Sequence, residues 1–254
     1  MLATTLFAAL GSVGTGAVRF AGGACVLLVV VRPSLRGRSR EAWLATLAFG
    51  AVMAAMNFLL YAAIARIPLG TAVTLEFLGP TALALLGARR RSDVVWTMLA
   101  VAGVVLLTGG LGAGSLSGAL LAVGAGAAWA GYLLLSKRVG GLTEGLDGLA
   151  LSVTAAAVLS APISVVAAVS TPRPVDLLIA AGVGVLGIVI PYSLELLALR
   201  RLPVKTVSTM LSLDPAIAAT AGAVALGQTL SLAELTGILL VMTASAGAIS
   251  AHAT

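Results

Sequence analysis

The chain has 254 residues, 60% of them hydrophobic and 9% charged, where soluble domains carry about a quarter charged residues. This composition excludes an ordinary soluble protein and predicts an integral membrane protein. One cysteine, Cys25, and one histidine, His252, leave no internal disulfide, no cysteine metal cage, no histidine ligand cluster and no Ser-His-Asp triad; the formal charge of +6 takes its meaning from where the bases fall.

Residues 1–10, MLATTLFAAL, read as the last part of a helix, too short to span and without the basic start of a signal peptide. Apolar runs of about 20 residues without strand-like alternation then predict helices rather than a barrel. They fall near 12–31, 42–64, 69–87, 94–111, 116–136, 147–169, 175–198, 204–225 and 232–250. The expectation is nine full spans plus a stub. The 30 glycines are dispersed through these runs, as close helix packing in lipid requires.

Loops that should share one side hold Arg32, Arg36, Arg38 and Arg40, then Arg89, Arg90 and Arg91, then Lys137 and Arg138, then Arg200, Arg201 and Lys205. The other side and the outer helix ends keep Arg19, Arg66 and Arg173. Twelve of the 15 basic residues on one side predict that those loops, and with them the C-terminus, face the cytoplasm. The positive charge therefore reports topology and not nucleic-acid binding, and anionic lipid is the natural contact of a turn such as GARRR.

Displacing the sequence by 135 residues aligns Arg66 with Arg201, Pro68 with Pro203, Thr71 with Thr206, Thr74 with Thr209, Pro80 with Pro215 and Gly87 with Gly222, among cheaper leucine and alanine matches. The chain reads as an internal duplication. Pro68 falls on the outer side and Pro203 on the cytoplasmic side, so the two copies are expected to insert upside down relative to each other, as in secondary transporters whose substrate site lies between the repeats.

The segments MNFLLYAAIARIPLGTAVTLEFLGPTALALL, AGAAWAGYLLLSKR and IPYSLELLALRRLPVKTVSTMLSLDPAIAATAGAVALGQTLSLAELTGILL resemble the EamA branch of the drug/metabolite transporter superfamily, most closely its inner-membrane exporters of threonine and homoserine. The resemblance implies an all-α polytopic membrane protein of ten helices in two five-helix inverted-topology repeats, here residues 1–114 and 115–254. It implies that most of the first helix is missing, through a misassigned start or a real truncation. It also implies a bacterial inner-membrane carrier that exports small amino acids or related polar metabolites by alternating access and proton antiport. Its partners would be a small-molecule substrate, protons and the bilayer, with a homodimer as the candidate assembly and no metal or organic cofactor. Two rival readings are a lipid-flippase-type or drug exporter of the same superfamily, and a membrane enzyme subunit; against the latter stands the lack of a histidine pair, metal-spaced acids or a phosphate loop.

Glu76 is the leading candidate residue. It stands about 10 Å along its helix at 1.5 Å per residue, where an acidic group costs about 2.5–3.5 kcal/mol and normally faces water or a partner. It binds substrate ammonium and protons in alternation on one reading, and forms a structural pair with Arg19 on the other. Asn57 and Tyr61, four apart on one helix face, could donate to a substrate carboxylate or serve packing and the interfacial aromatic belt. Tyr192, Thr209, Ser212 and Asp214 form the counterpart layer of the second half, Asp214 being either a coupling acid or a local cap ahead of Pro215. Glu195 gates or relays protons, or else pairs with Arg200 and Arg201. Trp129 and Tyr132, three apart, resemble the aromatic pair of the family's sixth helix and line the cavity or pack. GVGVLG, residues 182–187, fits a dinucleotide fingerprint by letter, but it sits inside an apolar helix with no strand before it and reads as helix packing.

Overall fold

The structure is a computed structural model, and it describes residues 7–85, 91–109, 116–170, 173–201, 211 and 213–251. Among these every regular element is helical: α1 (Phe7–Val31), α2 (Arg40–Ile64), α3 (Leu69–Glu76), α4 (Leu78–Leu85), α5 (Arg91–Gly109), α6 (Leu116–Leu142), α7 (Asp147–Leu159), α8 (Ala161–Ser170), α9 (Pro174–Gly184), a π-helical turn (Val185–Val189), α10 (Ile190–Arg201), α11 (Asp214–Leu226) and α12 (Leu232–Ala251). Among the described residues four stretches are long and apolar enough to cross a membrane, Gly14–Val31, Arg40–Ile64, Leu116–Leu142 and Leu177–Ala198, beside shorter apolar helices such as Val94–Leu106 and Asp214–Leu226. Large apolar side chains face outward, Val169 and Val224 each at 83% exposure. Water would not tolerate such a surface on a monomer, whereas lipid demands it.

The predicted stub appears over residues 7–10 as the start of α1, set off from the rest of that helix by Gly11, whose φ of 69° breaks the helical path. Three predicted spans are interrupted, and proline explains each. A helical proline lacks the N–H for the carbonyl four residues back and crowds it. Pro80 thus releases the Glu76 carbonyl, and the run expected over 69–87 divides at Phe77 into α3 and α4, with Phe77 N–H still bonded to Val73 O at 2.9 Å and Thr81 N–H to Phe77 O at 3.2 Å. Pro162 divides the run over 147–169 at Ser160. Pro191 releases the Gly187 carbonyl, and there the run over 175–198 widens into the π-helical turn, closed by Ile190 N–H on Val185 O. Of the span expected over 204–225, residues 202–210 and 212 lie outside the described residues, so Thr209 and Ser212 do too, as does His252. α11 opens at Asp214 with Pro215 in its first turn, and its N-cap residue, Leu213, makes no side-chain cap.

The chain forms two compact units, both discontinuous in sequence. Unit 1 comprises residues 62–130 and 202–254 with residue 1; unit 2 comprises residues 2–61 and 131–201. In unit 2, α1 packs on α7, α8, α9 and the π-helical turn. Small residues make this possible: a Cβ on Gly22 would meet the Ala181 backbone at 2.7 Å, and one on Gly50 would meet α7 at Ser152, whose hydroxyl donates to Thr46 O at 3.0 Å. In unit 1, α5 lies along α12 and α3 along α11. Gly103 faces Val241, Gly247 lies under the Trp96 ring and Gly70 faces Ala219. Gln228 Oε1 accepts from Leu69 N–H at 3.0 Å, satisfying one of the free donors that opens α3.

One end of unit 2 is latched by charge. Asp147, in the first turn of α7, accepts from Arg38 Nη2 at 2.7 Å and from Ser34 N–H at 3.2 Å, while Arg38 Nε donates to Ser34 O at 2.6 Å. The Arg38 side chain is only 10% exposed, unlike the solvated Arg138–Glu41 pair at 2.9 Å. Asp147→Ala is expected to lower stability by about 2 kcal/mol, since it strands a largely buried guanidinium, and Glu41→Ala by less than about 1 kcal/mol. Melting curves of the detergent-solubilised protein would show Asp147→Ala well below wild type and Glu41→Ala close to it.

Candidate functional site

Unit 2 gathers six of the predicted residues into one polar system on α1, α2, α6 and α10. Arg19 is 6% exposed, Asn57 and Tyr61 each 7%, and Tyr132 2%. Arg19 Nη1 donates to Tyr61 Oη, and the guanidinium lies 5.1 Å from the centre of the same ring. Tyr61 is therefore a buried partner of a charge and not part of an interfacial aromatic belt. Asn57 Nδ2 donates to Tyr192 Oη at 2.9 Å and to Met53 O at 3.1 Å. The Tyr192 ring packs 5.5 Å from Tyr132, and Tyr132 Oη donates to Glu195 Oε2 at 3.2 Å. Glu195 thus engages Tyr132; the side chains of Arg200 and Arg201, the partners sequence suggested, lie outside the described residues. Phe49, 5.0 Å from Tyr132, and Phe58, 6.3 Å from Phe20, close the system with apolar surface.

Two glycines complete the seat of Arg19, and only their letters, not their role, were apparent from the sequence. A Cβ on Gly184 would strike the Arg19 backbone carbonyl, and one on Gly187 would strike its Nη2. These are the second and third glycines of GVGVLG. The segment is helix packing, as expected, but what it packs around is a buried guanidinium. The signal available in sequence was Pro191, four residues after Gly187, which marks a widened turn.

Unit 1 holds Glu76, Trp129 and Asp214. Glu76 is 5% exposed and ends α3 at the break before α4. Its side chain makes no hydrogen bond or ion pair among the described residues; the ion pairs there are Arg38–Asp147 and Arg138–Glu41. Asp214, at the start of the helix packed on α3, lies within electrostatic range of it. Phe77 and Trp129 pack edge to face at 5.3 Å, fixing the residue that follows Glu76 against α6. The backbone comes closer still. Cβ atoms on Gly79 or Gly126 would overlap the facing main chain, Gly126 lying against the Glu76 carbonyl that Pro80 leaves free.

Buried ionisable groups on broken helices inside an apolar, lipid-facing shell define a multi-pass membrane protein built to handle polar solutes. Residues 116–250 match the EamA-like transporter family, and the chain belongs to that family. It is 39% identical to the threonine/homoserine exporter RhtA of Salmonella typhimurium strain LT2 over 97% of this chain and 84% of the relative. It is 38% identical to the exporter of the same name from Escherichia coli K12, with the same coverage. A solved crystal structure, 21% identical, shares the fold over 97% of this chain and 91% of its own with a TM-score of 0.65. The function thus belongs to transport and not to enzymology.

Proposed function

We propose that the chain exports threonine, homoserine or related small polar amino acids across the bacterial inner membrane in exchange for protons. The two five-helix inverted repeats, 1–114 and 115–254, alternate access, and the basic loops face the cytoplasm. Glu76 carries this reading: a carboxyl group buried in a membrane-embedded unit without a hydrogen bond or ion pair among the described residues is a site awaiting a proton or an ammonium. Asp214 and Glu195 act in coupling or gating. Arg19, Asn57, Tyr61, Tyr192, Trp129 and Tyr132, with Thr209 and Ser212, hold and orient the substrate. The relatives named as threonine/homoserine exporters support the choice of solute. The repeat receives support from Asn57 and Tyr192, which are hydrogen-bonded and 135 residues apart, the same displacement that aligns the two halves.

Inverted membrane vesicles carrying the chain are expected to accumulate radiolabelled threonine and homoserine when a proton gradient is imposed and to stop when it is collapsed. Equal accumulation in vesicles lacking the protein would end the proposal for these solutes.

A further inference from the structure

Arg19 is a buried charge in unit 2 that enters no ion pair among the described residues. The guanidinium belongs to a side chain more than nine-tenths buried, inside a span, and it takes part in neither of the ion pairs among the described residues. Its one hydrogen-bond acceptor among the described residues is a phenol, Tyr61, which accepts from Nη1 and carries no charge; Nε is buried with no acceptor among them. A buried arginine is costly unless an anion answers it. The fold nonetheless holds this one firmly. The Tyr61 ring lies beside it, Gly184 admits its backbone, and Gly187, in the turn that Pro191 widens, leaves room for Nη2 where any larger residue would displace it. π-helical turns often mark functional sites, and this one forms part of an arginine seat.

We propose that Arg19 is the anchor for the carboxylate of the transported solute, with Gly187 the positioning residue that sets the guanidinium. Planar guanidinium matched to planar carboxylate gives directional, charge-assisted hydrogen bonds, and the unsatisfied Nε supplies a donor for one of them. The site therefore selects small organic acids and rejects their amides. The inference deepens the export reading and rests on it only for the identity of the solute.

The test uses the purified full chain in detergent, with melting temperature followed against L-threonine, L-threonine amide and 3-hydroxybutyrate, which keeps the carboxylate but has no ammonium. Threonine, and more weakly 3-hydroxybutyrate, should stabilise the wild type while the amide does not. Arg19→Gln should weaken the response to both acids by about a hundredfold, and Arg19→Lys should restore part of it. Gly187→Ala, which keeps every charge, should raise the half-saturating threonine concentration about tenfold and narrow the acid-over-amide preference, a ratio that a merely structural role would leave alone. It carries the test if Arg19→Gln does not fold. Equal stabilisation by acid and amide, an unchanged preference in the variants, or no response of the wild type to either acid would overturn the proposal. Stabilisation by 3-hydroxybutyrate through Arg19 without any by threonine would keep the anchor and sink the amino-acid reading. Gradient-driven threonine accumulation unaltered by Arg19→Gln would do the reverse.

Discussion

Vesicles carrying Glu76→Gln are expected to lose gradient-driven threonine accumulation down to the level of vesicles without the protein. Glutamine keeps the size and the hydrogen-bonding capacity of a protonated glutamate, so the surroundings that bury Glu76 change little in shape. What disappears is the ability to bind and release a proton, or to change from proton to ammonium. The expectation therefore separates coupling from folding: melting behaviour close to wild type, no uphill transport, and a residual flux that no longer varies with pH. Undiminished uphill transport with an unchanged pH profile would remove Glu76 from the mechanism. Asp214→Asn should do less, because Asp214 is only half-buried and solvent already screens part of its charge.

Gly126→Val is expected to have the largest effect on the folded protein itself. The contact it would break is main chain to main chain, with Gly126 against the Glu76 carbonyl and Gly79 against Gly126, so no side-chain rotation can make room. The helices would have to separate. Overpacking costs about 1–3 kcal/mol where side chains can adjust, and the upper end of that range, about 3 kcal/mol, is expected here. Size-exclusion profiles should show a much smaller monodisperse peak and melting a lower midpoint. Gly141→Val, at an α6 position where a Cβ meets nothing within 4 Å, should be nearly silent. Similar behaviour of the two variants would refute the close-approach account.

Much of this was legible in residue order because lipid imposes a simple grammar: spans are long and apolar, basic loops mark one side, and buried acids stand out. The run over 42–64 and the placement of Glu76 in a buried position follow from that alone. The interruptions at Phe77, Ser160 and Val185–Val189 were signalled by Pro80, Pro162 and Pro191, yet apolar periodicity runs straight through a broken helix and hides the break. Side-chain partners were the least legible. Tyr61 with Arg19, and Tyr132 with Glu195, join residues 42 and 63 positions apart, and such pairings depend on which helix faces which. Sequence spacing constrains that only within one helix. The arginine seat was hidden for a related reason: a glycine records that something comes close, not what comes close.

The discontinuity of the two units dictates an order of manufacture. Every segment of unit 2 has been synthesised once residue 201 has left the ribosome, whereas unit 1 still lacks α11 and α12. Those are the helices against which Gly70 on α3 and Gly103 on α5 pack. At about 5–20 residues per second, α3 and α5 spend several seconds in the bilayer with these glycine faces uncovered. That interval is the natural point for a chaperone or insertase to hold them, and a nascent chain stalled before residue 214 would be the species most exposed to degradation.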